Sequence, residues 1–221
     1  MLAKDLISDI VPALRTSDTG LQALSWMDIF RISHLPIVNN QEFLGLISDQ
    51  DIYDLNMAEE PIGNHKLSLF SPYVYYNQHI FEIIELVSRL SLTVVPVLDE
   101  DKKYLGLITQ NDLLQHFAEL SALRNPGSII EIDLNINDYS LSEISRIIES
   151  NDAKILGLYV SSPEDSTKMT ITIKLNITDI TSIVQTFNRF NYDVKASYLQ
   201  NDEMESLLNN RYEQFMRYLS I

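Results

Sequence analysis

The side chains in this sequence that could recognise a ligand occur in two short matching pairs. Ser48 and Asp51 stand three residues apart, and Thr109 and Asp112 repeat that spacing 61 residues later. A carboxylate can accept two hydrogen bonds from the neighbouring hydroxyls of a sugar, and the start of a helix favours an anion. The same spacing also caps a helix without any ligand. The residues alone therefore leave two interpretations open: a sugar or phosphate site, and a pair of helix caps.

Both pairs lie within a longer duplicated pattern. The run Leu44–Ile52 returns as Leu105–Leu113, and upstream of it Leu35–Val38 returns as Val95–Leu98. Such a duplication indicates two copies of one structural unit that can pack face to face. Two equivalent strand-to-helix turns would then face a shared cleft, which is an arrangement that suits ligand sensing.

Each copy predicts the order strand, helix, strand, strand, helix. Apolar residues at helical spacing mark the first helix of both copies. They are Ala23, Leu24, Met27 and Phe30 in one copy and Ile83, Ile84, Val87 and Leu90 in the other. Short apolar strands around Pro36 and Pro96 follow, and then a polar turn and a glycine-containing strand. Because the same helix face is preserved in both copies, we expect them to share one fold.

A different pattern begins after Pro126 and Gly127, two breakers that mark a domain boundary. Between residues 128 and 200, runs of alternating apolar and polar residues predict strands, and two helical patterns complete the order βαββαβ, the split βαβ arrangement. Ser140 and Glu143 have capping-box spacing at the start of the first of these helices. Residues Asp202–Leu219 predict a C-terminal helix that covers the sheet or pairs with another subunit.

The composition narrows the classes of function. The net charge is −15, and both residues 1–124 and residues 125–221 are acidic, so neither nucleic acid nor an anionic membrane is an expected partner. The chain has no cysteine, no apolar run long enough to span a membrane and no signal-peptide pattern, which favours a cytoplasmic protein. No two histidines are three or four residues apart, and the common nucleotide-loop and hydrolase motifs are missing. We therefore predict neither a metal site nor catalysis.

The duplicated motif resembles a tandem pair of CBS domains, also called a Bateman module. The resemblance assigns residues 1–62 to the first CBS repeat and residues 63–124 to the second. Residues 128–200 resemble an ACT domain, and residues 201–221 hold the C-terminal helix. This order is similar to the bacterial acetoin-utilisation protein type. The resemblance implies an α+β fold, in which two βαββα units pack as a pseudo-twofold pair and a βαββαβ ferredoxin-like domain follows them.

The resemblance also implies a ligand. CBS pairs typically bind adenosine nucleotides or related molecules between the two repeats, so AMP, ADP, ATP or S-adenosylmethionine is the expected regulatory ligand, and no cofactor is required. In that family the aspartate of the turn holds the ribose hydroxyls, and the hydroxyl residue lies close to the sugar or phosphate. The residues carried over are Ser48, Asp51, Thr109 and Asp112, with Ile37 and Val97 flanking a purine and His79 beside the cleft.

The charges near the two turns favour a small ligand. Asp49 stands next to Asp51 and would repel a polyphosphate, and Gln110 and Asn111 occupy the turn where many relatives carry a basic residue. We therefore expect a nucleoside or a nucleoside monophosphate rather than ATP.

The predicted function is a non-catalytic regulatory sensor that binds an adenosine nucleotide between its CBS repeats. The alternative is a ligand-free interaction protein that uses its CBS and ACT domains to dimerise. The loop Asn135–Ser140 lacks the glycine with which ACT domains often approach an amino acid, so we expect this domain to be a dimerising or structural sheet instead. A homodimer is the expected minimum, and the sequence does not name the regulated partner protein.

Overall fold

The computed structural model describes residues 1–54, 58–64, 71–163 and 167–199. The chain divides into two compact units, Met1–Phe117 and Ala118–Ile221, and each has its own buried apolar core. The helix predicted for Asp202–Leu219 lies outside the described residues. Within the described ranges, no helix has the length and apolar character needed to cross a lipid bilayer.

The first unit contains both copies of the duplicated pattern. The first copy forms α1 (Gly20–Phe30), β1 (His34–Asn39), β2 (Glu42–Ser48) and α2 (Asp49–Asp54). The second copy forms β3 (Val74–Tyr75), α3 (Ile80–Leu90), β4 (Val94–Leu98), β5 (Tyr104–Thr109) and α4 (Gln110–Leu120). The second copy thus has the predicted βαββα order. In the first copy, the opening strand is reduced to a single parallel bridge between Leu14 and Ile37.

Local signals set the ends of the first helix in each copy. The Thr19 hydroxyl caps α1 by accepting the N–H three residues later at 3.2 Å. His79 caps α3, and the Glu82 carboxylate accepts the His79 N–H in return at 3.2 Å. Arg31 and Ser91 end the two helices in the left-handed conformation, with φ of 56° and 51°. The two helices therefore end at equivalent positions, and each turns sharply into the strand that follows.

The two copies pack against each other around a pseudo-twofold axis. The Ser33 N–H donates to the Thr93 hydroxyl at 3.0 Å, and Glu42 forms a β-bridge with Lys103. In each pair the two residues occupy equivalent positions of the duplication. A residue that contacts its own counterpart lies close to the axis that relates the copies. One continuous apolar core joins both copies, so the predicted pseudo-twofold pair is confirmed.

The N-terminal segment of the chain packs on the second copy. The Ser8 N–H donates to the Leu107 carbonyl at 2.8 Å, beside the glycine-containing strand β5. The segment that leads into the second copy packs on the first, where the Ile62 N–H donates to the Asp18 carbonyl at 2.8 Å. Each copy is therefore completed by the chain segment that leads into the other, which joins the two copies more tightly than their linker alone could.

The second unit is an antiparallel sheet with two helices. Its elements are β6 (Ser128–Asn135), α5 (Leu141–Glu149), β7 (Ile155–Ser161), β8 (Lys168–Leu175), α6 (Thr181–Arg189) and β9 (Asp193–Leu199). The strand order is β7-β8-β6-β9, and neighbouring strands are antiparallel. Ile130 and Ile132 on β6 are buried, their sequence neighbours are more exposed, and both share a core with Ile144 of α5. The predicted βαββαβ order is confirmed, and the chain as a whole is α+β, as predicted.

Candidate functional site

A cavity of about 1090 Å³ opens within the first unit. Four parts of the chain line it: the N-terminal segment around Ser8 and Val11, the end of α1, one side of α3 and the first turns of α4. Both copies of the duplication therefore contribute to one cavity. Binding sites for small molecules usually enclose roughly 300–1,000 Å³, so the space is sufficient for a nucleotide-sized ligand.

Thr109 and Asp112 both line this cavity. The Thr109 hydroxyl donates to Asp112 Oδ2 at 2.7 Å, and it accepts the Asp112 N–H at 3.0 Å. The Thr109 side chain is buried and Asp112 is half-buried. The reciprocal bonds cap α4 and fix the carboxylate in one orientation. Because the cap uses Oδ2, the second carboxylate oxygen of Asp112 is the atom that could accept hydrogen bonds from a ligand in the cavity.

Ser48 and Asp51 repeat the same geometry in the first copy. The Ser48 hydroxyl donates to Asp51 Oδ2 at 2.7 Å and accepts the Asp51 N–H at 3.1 Å, and the Ser48 N–H also donates to Oδ2 at 2.8 Å. These two residues do not line the cavity described above, and Asp51 is exposed. At the offset of 60 residues, the counterparts of the lining residues Ser8 and Ile10 are residues 68 and 70, which lie outside the described residues. The structure therefore characterises one of the two predicted turns as part of a cavity.

Ile37 and Val97, which were expected to flank a purine, have no exposed surface. They lie inside paired strands, Ile37 opposite Gly45 and Val97 opposite Gly106. A side chain with no exposed surface cannot touch a ligand unless the core opens. This part of the prediction is therefore corrected: both residues belong to the core that supports the two turns, and neither lines the cavity.

His79 was expected beside the cleft, and its contacts are those of a helix cap. Its ring accepts the Phe81 N–H at 3.4 Å, and the two rings pack edge to face with centroids 4.9 Å apart. His79 is not among the residues that line the cavity. The helix cap and the ring contact account for its position without a ligand.

The cavity also contains residues that the sequence did not single out as a site. Phe30 and Phe117 supply aromatic surface, and hydroxyl residues come from α3 and from the turn between α3 and β4. Arg31 lines the cavity as well. Arg31 directly follows the apolar stripe of α1, so the sequence pattern places it at the end of this helix. The pattern does not reveal that a cavity lies beside it.

His34 connects the two copies close to the first turn. Its Nδ1 lies 3.0 Å from the Thr93 hydroxyl, and Thr93 lines the cavity. Burial lowers the pKa of His34 below its usual value of 6.5, and the nearby carboxylates of Asp49 and Asp51 oppose that shift. Burial has the larger effect, so the neutral ring is the form that the fold favours.

This lowered pKa predicts a loss of stability in mild acid. The unfolded chain binds the His34 proton near pH 6.5, and the folded chain binds it only at lower pH, so this stabilising contribution is complete above pH 6.5 and decreases below it. We expect the melting temperature to fall between pH 7.5 and pH 5.5 more steeply in the wild-type protein than in His34→Gln. Thermal unfolding at several pH values measures both slopes, and equal slopes would contradict the assignment to His34.

A second cavity, of about 560 Å³, lies in the second unit near the loop Asn135–Ser140. Its charged side chains are largely engaged with one another. Asp133 pairs with Lys195 at 2.7 Å and accepts a hydrogen bond from the Thr170 hydroxyl at 2.7 Å. The contact with Lys195, and then the one with Thr170, lowers the pKa of the Asp133 carboxyl. Among the described residues, no group of three or more histidine, aspartate or glutamate side chains has an arrangement that could hold a metal ion.

A protein-family model now identifies the first unit. The CBS domain model matches residues 3–58 and residues 60–119, which together make up more than half of the chain. The chain therefore belongs to the CBS domain family and carries two CBS domains in tandem, as predicted. The ACT-like character of residues 128–200 stays a prediction.

Similar solved structures include a CBS domain pair/ACT domain protein from Thermotoga maritima and a protein described as an acetoin utilization protein from Vibrio cholerae. The first is 22% identical, has a TM-score of 0.48, and the match covers 54% of this chain and 98% of that one. The second is 22% identical, has a TM-score of 0.47, and the match covers 56% and 95%.

Curated relatives share only part of their length with this chain. Inosine-5'-monophosphate dehydrogenase from Methanocaldococcus jannaschii is 22% identical over 148 residues, which cover 66% of this chain and 29% of that enzyme. In another curated relative the shared part is 42% of the length.

Proposed function

We propose that this protein is a non-catalytic regulatory sensor that binds an adenosine nucleotide in the cavity of its CBS pair. The observation that carries the proposal is the position of Asp112, which is held by its helix cap and lines a cavity built from both copies. Ligand bound there would contact both copies at once. Its binding would therefore bias their relative arrangement, which is the physical basis of a sensor.

The lining divides into parts that match the parts of a nucleoside. Asp112 offers a carboxylate oxygen to the vicinal hydroxyls of ribose. Phe30 and Phe117, with Ile10 and Val11, offer apolar and aromatic surface to a purine. The amide side chains of Gln110 and Asn111 add polar groups at the start of α4. A few convergent polar groups in a largely apolar cavity are typical of small-molecule sites.

Isothermal titration calorimetry tests this proposal. The protein is first unfolded, dialysed and refolded to remove any ligand that co-purifies, and is then titrated with adenosine, AMP, ADP, ATP and S-adenosylmethionine. Guanosine and GMP serve as purine controls. We expect saturable heat from at least one adenosine compound and weaker binding of its guanosine counterpart. Absence of heat from every compound, with refolded protein of native circular dichroism, would overturn the proposal.

The second candidate is a ligand-free interaction protein, and the reciprocal caps favour it. Because Asp51 and Asp112 are both satisfied by their own turns, each has a structural role that needs no ligand. Under this alternative, changing Asp112 lowers the stability of α4 and nothing else. The same titrations separate the two candidates, since only the sensor binds a nucleotide.

We also propose that the chain forms a homodimer. Leu21 and Phe81 occupy equivalent positions on α1 and α3 and are 62% and 55% exposed, and Ile29 on α1 is 66% exposed. Burial of such side chains against a second copy would remove apolar surface from water. We expect light scattering at micromolar concentration to give about twice the chain mass of 25.4 kDa. A mass equal to that of one chain would contradict the homodimer.

A further inference from the structure

The charges that line the cavity come from opposite copies. Among the described lining residues, Arg31 carries the positive charge and Asp112 the negative charge. Arg31 belongs to the first copy and Asp112 to the second. Within the described part of the chain, the Arg31 guanidinium makes no ion pair with an acidic side chain. Among the described residues, Arg31 is therefore a cation at the cavity that no acidic side chain pairs with.

The backbone holds Arg31 in place even though its side chain is exposed. Its N–H donates to the carbonyl of Asp28 at 3.3 Å and so closes the last turn of α1. Its φ is 56°, a conformation that glycine adopts more readily than residues with a side chain. This conformation has a small energetic cost for arginine that it would not have for glycine. Because the backbone is held in this conformation, the side chain of Arg31 begins at a fixed position at the edge of the cavity.

We infer that Arg31 binds the phosphate group of the ligand and restricts the site to adenosine compounds with a single phosphate. This inference rests on the proposed function, because it names the ligand class of the same cavity. A guanidinium pairs with a phosphate through two parallel hydrogen bonds. Ser88 and Ser91 also line the cavity, and a serine hydroxyl is a neutral hydrogen-bond donor.

The charge balance explains why one phosphate is preferred to three. A monophosphate carries about 1.5 to 2 negative charges near pH 7, and one guanidinium offsets one of them. A triphosphate brings about two further negative charges into a cavity that also holds Asp112. The phosphate then pairs with the first copy while the ribose pairs with the second. The ligand would therefore connect the two copies through groups of opposite charge.

The inference is tested by comparing AMP with adenosine, which differ only in the phosphate. In the wild-type protein we expect AMP to bind about tenfold more tightly than adenosine, and more tightly than ATP. Arg31→Gln should remove the preference for AMP, so that the ratio of the two dissociation constants approaches one, while adenosine affinity changes less than twofold. Arg31→Lys keeps the charge and should retain part of the preference.

Arg89→Gln is the matched control. Arg89 lies on α3, pairs with Glu85 at 3.1 Å and is not among the residues that line the cavity. This variant makes the same change in net charge and should keep the wild-type ratio. If Arg31→Gln keeps the full preference for AMP over adenosine, the inference is wrong although the proposed function stands. If the wild-type protein binds neither adenosine nor AMP but does bind ADP, ATP or S-adenosylmethionine, the inference is wrong and the proposed function stands. If it binds none of these compounds, both fail.

Discussion

Replacing Asp112 with asparagine is expected to weaken AMP binding by roughly 10- to 100-fold. The change keeps the size of the side chain and an oxygen that can accept the Thr109 hydroxyl, which now donates to Asp112 Oδ2 at 2.7 Å. It removes the charge, and it replaces the second carboxylate oxygen, which would accept the ribose hydroxyls, with an amide nitrogen that donates. Hydrogen bonds to a charged group contribute about 1.5–3 kcal/mol, and each 1.4 kcal/mol is a tenfold change in affinity. Calorimetry with AMP measures the loss.

The chain supplies its own control in Asp51→Asn. Asp51 has the same cap geometry in the first copy, but it is exposed and does not line the described cavity. Both variants should lower helix stability by a similar amount, up to about 1 kcal/mol, because both weaken a cap. Only Asp112→Asn should lose affinity. An equal loss in both variants would place the ligand elsewhere, and no loss of AMP affinity in Asp112→Asn would show that Asp112 caps α4 without contacting the ligand.

The duplicated pattern predicts the fold well because it carries its information twice. Apolar residues recur at helical spacing at the same positions in both copies. A chance arrangement of apolar residues in one copy would not be repeated in the other. The caps at Ser48 and Thr109 are local, and the short-range bonds that form them depend on few other parts of the chain. Local signals of this kind set where α2 and α4 begin, and both start directly after these residues.

The sequence alone could not distinguish residues that pack in the core from residues that line the cavity. Ile37 and Val97 lie on strands that are buried on both faces, as β4 is along its whole length. In such a strand, alternation between buried and exposed positions disappears, so the pattern no longer tells which side chain faces a ligand. His79 has a similar ambiguity, because a polar residue before a helix can serve as a cap or as a ligand contact.

The cavity depends on chain segments that are distant in sequence. Ser8 reaches it because the N-terminal segment crosses to the second copy and hydrogen-bonds to Leu107. Arg31 reaches it because α1 ends close to the axis that relates the copies, where Ser33 contacts Thr93. Neither fact follows from periodicity within a single element. The duplication does contain one signal that the N-terminal segment crosses to the second copy. The glycine of the repeated motif recurs at Gly106, and the segment passes beside it.

Replacing Gly106 with alanine is expected to destabilise the first unit by about 1–3 kcal/mol and to weaken AMP binding. Gly106 has a φ of 154°, which side-chain-bearing residues rarely adopt, and a Cβ there would collide with the Cγ2 methyl of Ile7. Ile7 precedes Ser8, whose N–H bonds to Leu107 at 2.8 Å. A displaced Ile7 would pull this bond apart and move Ser8 and Val11 away from the cavity. Urea unfolding and calorimetry measure the two effects.

Two further variants separate the causes of the Gly106 effect. Gly45→Ala makes the matching change in the first copy, where φ is 152°, so it reports the backbone strain without moving the N-terminal segment. The double variant Ile7→Ala/Gly106→Ala removes the colliding methyl and should recover part of the AMP affinity that Gly106→Ala loses.

If Gly106→Ala binds AMP as the wild-type protein does, the N-terminal segment is not part of the site. Equal losses in Gly45→Ala and Gly106→Ala would instead assign the effect to strain alone. The site therefore depends on the N-terminal segment only if the collision with the Ile7 methyl reduces AMP affinity. The backbone strain that both alanine variants share must not account for the loss.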